Sequence, residues 1–154
     1  ISQLNETFDV VVSSLAFHYV EDFSGVVRNI YDLLEPGGNF IFSQENPLCT
    51  CHSGENRWTR NENGEKLYLN LANYGVEGER ESVWFVDNVK KYHRTFSTII
   101  NTLIEAGFTV EKMIEPLPDD ELLEKYPDYK DLFHKPDFLL VRVRKTPKKY
   151  QSPF

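Results

Sequence analysis

One stretch of the chain decides the fold, and it reads Phe8-Asp9-Val10-Val11-Val12-Ser13-Ser14-Leu15-Ala16-Phe17-His18-Tyr19-Val20-Glu21-Asp22. The valines near its start form an unbroken β-branched run, which predicts a strand covered on both faces, as in a parallel sheet. Ser13 and Ser14 end the apolar run. Open α/β sheets bind ligands just beyond the carboxyl ends of their strands, so chemistry is expected first at the residues that follow. His18 and Tyr19 lie there.

A helix and a second strand follow this first strand. Asp22 is a suitable N-cap, and the positions after it repeat apolar residues with helical spacing. The repeating positions are Phe23, Val26, Val27, Ile30, Tyr31 and Leu34. Pro36, Gly37 and Gly38 end the helix, because proline cannot continue its hydrogen bonds and glycine accepts positive φ angles. With a second strand at Asn39–Ser43, the pattern predicts a right-handed βαβ unit.

The rest of the chain continues this alternation of strands and helices. Thr95 or Ser97 caps a further helix, and Gly107 stands where a helix would end. The other predicted elements are strands at Phe108–Ile114 and Phe138–Val143 and a short helix at Asp119–Tyr126. We therefore expect residues 1–154 to belong to one α/β domain.

A long polar and aromatic segment, residues 45–94, separates the second strand from the next long helix. Short strands are predicted within it at Lys66–Leu71 or Glu81–Val86, with a turn at residues 61–64. Compact folds seldom carry so long a non-repeating segment without a use for it. We interpret the segment as an insertion that caps the functional site.

Composition and charge limit the functions to consider. The 154 residues carry 17 basic and 24 acidic side chains, a formal charge of -7, whereas a nucleic-acid partner needs a basic face. No apolar run approaches the roughly 20 residues of a membrane span. The two cysteines are too few for a disulfide scaffold, which favours a cytoplasmic protein. Cys49, Cys51 and His52 lack a second pair of ligands, so no metal site is predicted.

The order and spacing of these segments resemble the carboxyl half of the class I S-adenosylmethionine-dependent methyltransferases. The segments that carry the resemblance are Phe8–Leu15 with His18, and Leu33-Leu34-Glu35-Pro36-Gly37-Gly38-Asn39-Phe40-Ile41-Phe42. They are similar to that family's fourth strand, the helix after it and the fifth strand. The resemblance implies that Phe108–Ile114 is the sixth strand and that Phe138–Val143 is an antiparallel seventh strand between the fifth and the sixth. The expected fold is α/β, a partial Rossmann-like methyltransferase sheet of parallel strands plus one antiparallel strand, with a capping insertion.

The chain departs from the family in its cofactor-binding half. The family's glycine-rich loop after its first strand and the acidic residue ending its second strand have no counterpart here. Either the amino half lies outside this chain or the family fold is incomplete in the gene. In both cases the strand Phe8–Ser14 would have an unpaired edge, and the sheet would have a bare apolar face. We expect a second copy, a separate amino-terminal half or rearranged local elements to cover them.

The resemblance implies that S-adenosylmethionine is the cofactor and that Ser13, Ser14 and Leu15 border it. His18 and His93 are the candidate catalytic residues on the acceptor side, and an ordinary pKa of about 6.5 suits His18 to a general-base role. Alternatively, His18 caps the helix or packs under the insertion. The candidate substrate-binding residues are Tyr19, Asn46, Trp58, Trp84, Tyr92 and Arg94.

Most of these candidates also have a purely structural interpretation. Tyr19, Trp58 and Trp84 would form the insertion's own small core instead of an aromatic pocket. Arg94 and the histidine before it would contribute to a surface ion pair instead of clamping a carboxylate or phosphate. Asn46 would turn the chain after the second strand instead of contacting substrate.

The leading prediction for function is methyl transfer to a small molecule by the parent protein of which this chain is the carboxyl half. In such a reaction the protein mainly aligns the acceptor, and orientation can contribute about 7–11 kcal/mol. The fragment alone is expected to bind the cofactor weakly or not at all. The rival hypothesis is a non-catalytic half-domain that pairs with a partner chain through its exposed sheet edge. Neither a nucleic acid nor a membrane is expected as a partner.

Overall fold

The computed structural model of the chain describes residue 4 and residues 6–51, 56–82 and 89–146. The strands are β1 (Phe8–Ser14), β2 (Leu34–Glu45), β3 (Trp58–Arg60), β4 (Lys66–Leu69), β5 (Gly78–Ser82), β6 (Val89–His93), β7 (Phe108–Ile114) and β8 (Phe138–Lys145). The α-helices are α1 (Phe23–Leu33), α2 (Pro47–Thr50), α3 (Phe96–Glu105) and α4 (Asp120–Lys125), with 3-10 segments at Phe17–Tyr19 and Pro127–Phe133.

The main sheet has the strand order β1-β2-β8-β7. The parallel strands β1 and β2 are joined through α1, which confirms the predicted strand–helix–strand unit. β8 lies between β2 and β7 and runs antiparallel to both, although it follows them in the sequence. An antiparallel strand at this position is what the resemblance implied, so the predicted fold class is confirmed.

α1 begins where the sequence supplies a cap. The Asp22 carboxylate accepts a hydrogen bond of 2.8 Å from the Gly25 N–H, an interaction worth roughly 1 kcal/mol. A Cβ at position 25 would lie 2.0 Å from an Asp22 carboxylate oxygen, so glycine there leaves room for the cap. Phe23, Val27 and Ile30 form the buried face of the helix, at the spacing the sequence predicted.

α3 is capped by Thr95 and not by Ser97. The Thr98 N–H donates to the Thr95 side-chain oxygen over 3.2 Å. Ile99 and Leu103 form the buried face of this helix. Gly107 follows its end with a φ of +102°, a conformation that glycine adopts without strain.

The core lies on one face of the main sheet. Phe40 and Phe42 are buried on β2, and their rings stack with centroids 4.9 Å apart. Phe17 packs edge-on against Phe42 at 5.1 Å, which ties the first 3-10 segment to the sheet. Other buried core residues come from α1, α3 and β8: Val27, Ile30, Ile99, Leu103, Leu139, Val141 and Val143. Each such side chain contributes roughly 1.5–3 kcal/mol by leaving water.

The other face of the sheet is open along β1 within the described part of the chain. Val12 is 69% exposed and Val10 is 49% exposed, and Ile41, which is opposite Val12 in the register, is exposed as well. The prediction that β1 is covered on both faces is therefore wrong for the described residues. The physical reason is that α1 and α3 both pack into the same core, on one side of the sheet.

β1 is also the edge strand of the main sheet as the described residues form it. A groove of about 550 Å³ runs beside this strand and α1. Val10, Val12, Val26 and Ile30 are among its mostly apolar lining residues. A hydrophobic strand edge beside an apolar groove is a surface on which another segment can pair.

The predicted insertion contains α2 and two hairpins, β3 with β4 and β5 with β6. The turn at residues 61–64 is confirmed, since Gly64 N–H donates to the Asn61 carbonyl. β4 ends at Leu69, short of the predicted Lys66–Leu71. β5 ends at Ser82, so the strand predicted at Glu81–Val86 begins earlier, at Gly78. The last residues of that prediction lie outside the described ranges.

Several other boundaries differ from the predictions. The helix α1 ends at Leu33, and β2 begins at Leu34 instead of Asn39, so Pro36, Gly37 and Gly38 lie within the strand and not at the end of the helix. β8 continues past the predicted Val143 to Lys145, because Lys145 still pairs with Phe108 of β7. β2 extends beyond the predicted Asn39–Ser43 to Glu45, because Glu45 still pairs with Phe138 of β8. The helix predicted at Asp119–Tyr126 is shorter, because Asp119 acts as its cap and accepts from the Leu122 N–H over 2.9 Å.

Candidate functional site

The turn after β1 has a strained backbone. Leu15 has a φ of +51°, which is uncommon for a residue with a side chain and costs roughly 1–3 kcal/mol. Its N–H donates to the Ser43 carbonyl over 2.9 Å, and the Ser43 hydroxyl lies 3.1 Å from the same nitrogen. Ser14 is exposed, Ser13 is half-buried, and the Leu15 side chain is 40% exposed. The three predicted cofactor-binding residues therefore lie together at the carboxyl end of β1.

His18 lies in the 3-10 segment that follows, with only 3% of its surface exposed. Its Nδ1 accepts a hydrogen bond from the Glu45 N–H over 3.2 Å. A neutral ring with an accepting Nδ1 carries its proton on Nε2. Burial lowers the pKa of His18, the nearby Lys91 adds to this effect and the Glu45 carboxylate opposes it. His18 is thus neutral near pH 7, with an N–H at Nε2.

Tyr19, Glu45 and Lys91 surround the His18 ring. The rings of His18 and Tyr19 lie 4.1 Å apart between centroids. The Lys91 ammonium contacts the Glu45 carboxylate at 2.5 Å and lies 6.0 Å from the centre of the Tyr19 ring. Tyr19 remains partly exposed. The ion pair places one charge of each sign beside a tyrosine ring that solvent can reach.

Arg94 makes four hydrogen bonds to backbone carbonyls. Nη1 donates to Phe17 at 3.4 Å and to Tyr92 at 3.5 Å, and Nη2 donates to Glu21 at 2.8 Å and also to Val20. Burial lowers the pKa of Arg94, which remains charged near pH 7. The guanidinium of Arg94, predicted to clamp a substrate, therefore binds carbonyls of the protein's own backbone. Among the described residues Arg94 forms no ion pair, which was the alternative prediction.

Tyr92 lies on β6, two residues before Arg94, and its hydroxyl reaches the segment after β1 that Arg94 also contacts. Its hydroxyl donates to a Glu21 carboxylate oxygen over a long distance of 3.5 Å. Burial and the Glu21 carboxylate raise the pKa of the Tyr92 phenol above its ordinary value. Tyr92 thus contacts Glu21, and its ring centre lies 5.8 Å from the Arg94 guanidinium carbon, beside the turn that carries His18.

His93 is buried with both ring nitrogens paired. Its Nε2 lies 2.9 Å from the Tyr74 carbonyl, which can only accept, so Nε2 carries the proton. Nδ1 then accepts from the Thr50 hydroxyl over 2.8 Å. Burial lowers the pKa of His93, and only 1% of its surface is exposed. Neither nitrogen is open to an acceptor molecule in this arrangement.

Asn46 is fully buried, and both the oxygen and the nitrogen of its side-chain amide form hydrogen bonds. Its side-chain oxygen caps α2 by accepting from the Leu48 N–H over 2.9 Å. Its Nδ2 donates to Glu115 over 2.6 Å. The structural interpretation, a residue that turns the chain after β2, fits this geometry better than a contact with substrate.

Trp58 does not contribute to the turn after β1. Its contacts are instead with its own hairpin, where the Lys66 ammonium lies 4.8 Å above the ring, and with His134, which follows the second 3-10 segment and lies edge-on at 5.7 Å. Trp84 lies outside the described residues.

Several residues of this site were missed by the sequence analysis. Glu45 and Lys91 were not singled out, because an ion pair between the end of one strand and a hairpin has no local signal. Thr50 and Tyr74 were missed for the same reason, although the buried position of His93 required partners for both ring nitrogens. Among the described residues there is no group of three or more metal-ligating side chains.

Comparison with known proteins identifies the class to which this geometry corresponds. Residues 2–42 match the family model described as a methyltransferase domain. By sequence and by fold, the chain is similar to S-adenosylmethionine-dependent methyltransferases. A Mesorhizobium loti S-adenosylmethionine-dependent methyltransferase is 37% identical and superposes with a TM-score of 0.79, over 90% of this chain and 62% of that one. A Listeria monocytogenes structure assigned to the same class is 37% identical, with a TM-score of 0.81, over 92% of this chain and 63% of that one.

Two curated proteins are also similar to the chain. An uncharacterised Haemophilus influenzae protein is 42% identical over 149 residues, which are 96% of this chain and 58% of that protein. The mitochondrial arginine-hydroxylase NDUFAF5 of Danio rerio is 49% identical over 105 residues, 68% of this chain and 27% of that protein. The chain therefore spans less than two thirds of the length of each of these relatives. No helix in the described ranges is long and apolar enough to cross a membrane.

Proposed function

We propose that the protein represented by this chain transfers a methyl group from S-adenosylmethionine to a small molecule. The observation that carries the proposal is the strained turn at Leu15, followed three residues later by His18, whose Nε2–H has no hydrogen-bond partner among the described residues. Strained, non-glycine turns at the carboxyl end of a parallel strand are typical of ligand-binding sites. The relationship to methyltransferases supplies the class of reaction.

Ser13, Ser14 and Leu15 fit the cofactor side of this proposal as one wall of a site. Leu15 offers an apolar side chain and Ser14 a hydroxyl at an exposed strand end. S-adenosylmethionine, when bound, supplies a methyl group on a sulfonium sulfur, which is a good leaving group because it departs as a neutral thioether. The remaining walls would come from an amino-terminal part that covers the edge of β1, which we propose as the occupant of the groove there. Alone, the chain would then bind the cofactor weakly.

On the acceptor side, His18 is better suited to donate a hydrogen bond than to remove a proton. Its Nδ1 is held as an acceptor by the Glu45 N–H, so Nε2 carries the ring proton. The base role predicted for His18 would need the ring to give up that hydrogen bond. We propose that Nε2–H orients an oxygen of the acceptor, with Tyr19 and Tyr92 beside it. His93, in contrast, supports the insertion from the inside.

Calorimetry with S-adenosylhomocysteine tests the cofactor site. We expect binding by a version of the protein extended at its amino end and little or none by this chain. Leu15→Glu in the extended version should weaken binding at least tenfold, because it places a charge against the ligand. Leu67→Glu is the matched control, since Leu67 lies on the β3–β4 hairpin and is also 40% exposed. Equal affinities of the two variants would refute the placement of the cofactor at Leu15.

The rival proposal, a non-catalytic half-domain, makes the opposite prediction in the same experiment. Neither version would bind the cofactor, and the exposed edge of β1 would instead mediate association with a partner chain or a second copy. Analytical ultracentrifugation of the chain would then show a stable complex. Binding of the cofactor by the extended version alone favours the enzyme.

A second reaction is favoured by one specific comparison. The zebrafish relative that is 49% identical over 105 residues is named an arginine-hydroxylase. The alternative reaction is hydroxylation of an arginine side chain, in which one oxygen atom of dioxygen enters a C–H bond and the other leaves as water, with two electrons from an external donor. Mass spectrometry of candidate acceptors separates the two reactions, because a methyl group adds about 14 Da and an oxygen atom about 16 Da. A cytoplasmic location, suggested by the two free cysteines, stays a prediction.

A further inference from the structure

Arg94 connects two parts of the protein that are distant in the sequence. It follows the last strand of the insertion, and it donates to the carbonyls of Phe17, Val20 and Glu21 in the segment after β1. Its guanidinium carbon also lies 5.1 Å from the centre of the Phe23 ring, the first residue of α1. The Arg94 side chain therefore contacts the turn that carries His18 at both of its ends, and it also contacts the first residue of the helix that follows.

That turn has few hydrogen bonds of its own. Tyr19 N–H donates to the Ala16 carbonyl at 3.0 Å, and Val20 N–H donates to the Phe17 carbonyl at 3.1 Å. A 3-10 segment of three residues is weakly held by such bonds alone. The His18 ring is fixed by a further bond, from the Glu45 N–H. The carbonyls on both sides of His18 are thus oriented by a residue outside the turn.

We propose that Arg94 is a positioning residue, which holds the turn so that the Nδ1 of His18 faces the Glu45 N–H and its Nε2–H faces the acceptor. The inference rests on the proposed function only for the statement that an acceptor lies at Nε2. It corrects the interpretation of Arg94 as a substrate clamp. It also links the insertion to the turn, because Arg94 directly follows β6 and its guanidinium binds the carbonyls of the segment after β1.

An arginine is required at this position for geometric reasons. Its planar fork presents several N–H donors in fixed directions, and here they reach four different carbonyls. A lysine has three donors on one atom and cannot reach carbonyls of Phe17 and Glu21 with the same spread. Arg94→Lys therefore keeps the charge while it removes most of the bonds.

The ¹⁵N resonances of the His18 ring report directly on this positioning. In the unmodified chain at pH 7.5 we expect a single tautomer, with Nδ1 unprotonated and Nε2 protonated. In Arg94→Lys we expect the Nδ1 tautomer to appear at a fraction above about one tenth. Arg80→Lys is the matched control, because Arg80 also donates to carbonyls, those of Val76 and Glu79, but within the insertion. The charged neighbours of His18, Glu45 and Lys91, are unchanged in both variants.

An unchanged His18 tautomer in Arg94→Lys would overturn the inference, as would an equal change in Arg80→Lys. If Arg94→Lys does not fold, hydrogen exchange of the unmodified chain decides instead. The amides of Val20 and Glu45 should then open together under mild urea, since both depend on the same turn. Separate openings would refute the coupling. None of these measurements requires a cofactor, so their failure is distinguishable from failure of the proposed methyl transfer.

Discussion

Lowering the pH from 7.5 to 5.5 should destabilise the protein through two buried histidines. Burial lowers the pKa values of both His18 and His93 in the folded chain. The unfolded chain, with ordinary histidine pKa values near 6.5, then binds more protons in this range. Stability is therefore fully present above about pH 6.5 and is lost as the pH falls below it.

The magnitude follows from linkage. A histidine that stays unprotonated in the folded state and has an unfolded pKa of about 6.5 lowers the free energy of unfolding by roughly 1.4 kcal/mol between pH 7.5 and 5.5. For His18 and His93 together the upper limit is about 2.7 kcal/mol. A loss of that size is a large fraction of the roughly 5–15 kcal/mol that folded domains possess.

Urea unfolding at a series of pH values measures the effect, with tryptophan fluorescence as the signal. His93→Gln should reduce the loss between pH 7.5 and 5.5 by about half, whatever its effect on stability at pH 7.5. His134→Gln is the control, since it replaces an exposed histidine. The reasoning is refuted if the free energy of unfolding of the unmodified chain stays constant over this range, or if His93→Gln keeps the full loss.

Three further predictions concern stability and association. Thr50→Val should destabilise the chain by about 1–3 kcal/mol in urea unfolding, because it leaves the Nδ1 of His93 buried without a donor, whereas Thr50→Ser should cost less than half as much. Asp22→Ala should cost about 1 kcal/mol by removing the hydrogen bond from Gly25, and an unchanged urea midpoint would contradict the cap. Val12→Lys should weaken any self-association of the chain in ultracentrifugation without changing its circular dichroism, since Val12 is 69% exposed beside the edge groove. An unaltered association constant would show that this face is not involved.

The sequence was most informative where a local pattern determines a local structure. β1 and β7 have the predicted bounds, because each apolar run is closed by residues that leave the sheet. Asp22 and Thr95 cap the helices that they precede, since a cap needs only a side-chain oxygen near the next turn. The antiparallel position of β8 followed from the family resemblance and not from its residues, which would fit any buried strand.

The site was less predictable because its bonds join distant segments through the backbone. Arg94 was expected to bind an anion, as arginines at ligand sites do, yet its acceptors are carbonyls, which every residue carries. The sequence also did not predict the exposure of Val10 and Val12, for a related reason. A β-branched run predicts that a strand is buried on both faces, but it does not indicate whether the covering residues belong to the same chain.

The place of β8 has a consequence for how the protein is made. This strand separates β2 from β7, and it is synthesised after both of them. Until Phe138 and the residues after it have left the ribosome, β2 and β7 have no common neighbour, and Phe40 and Phe42 lack their buried cross-strand neighbours on β8. Joining of the two halves of the sheet must therefore await the late emergence of this segment, so a nascent chain stalled before it would expose its aromatic core to chaperones.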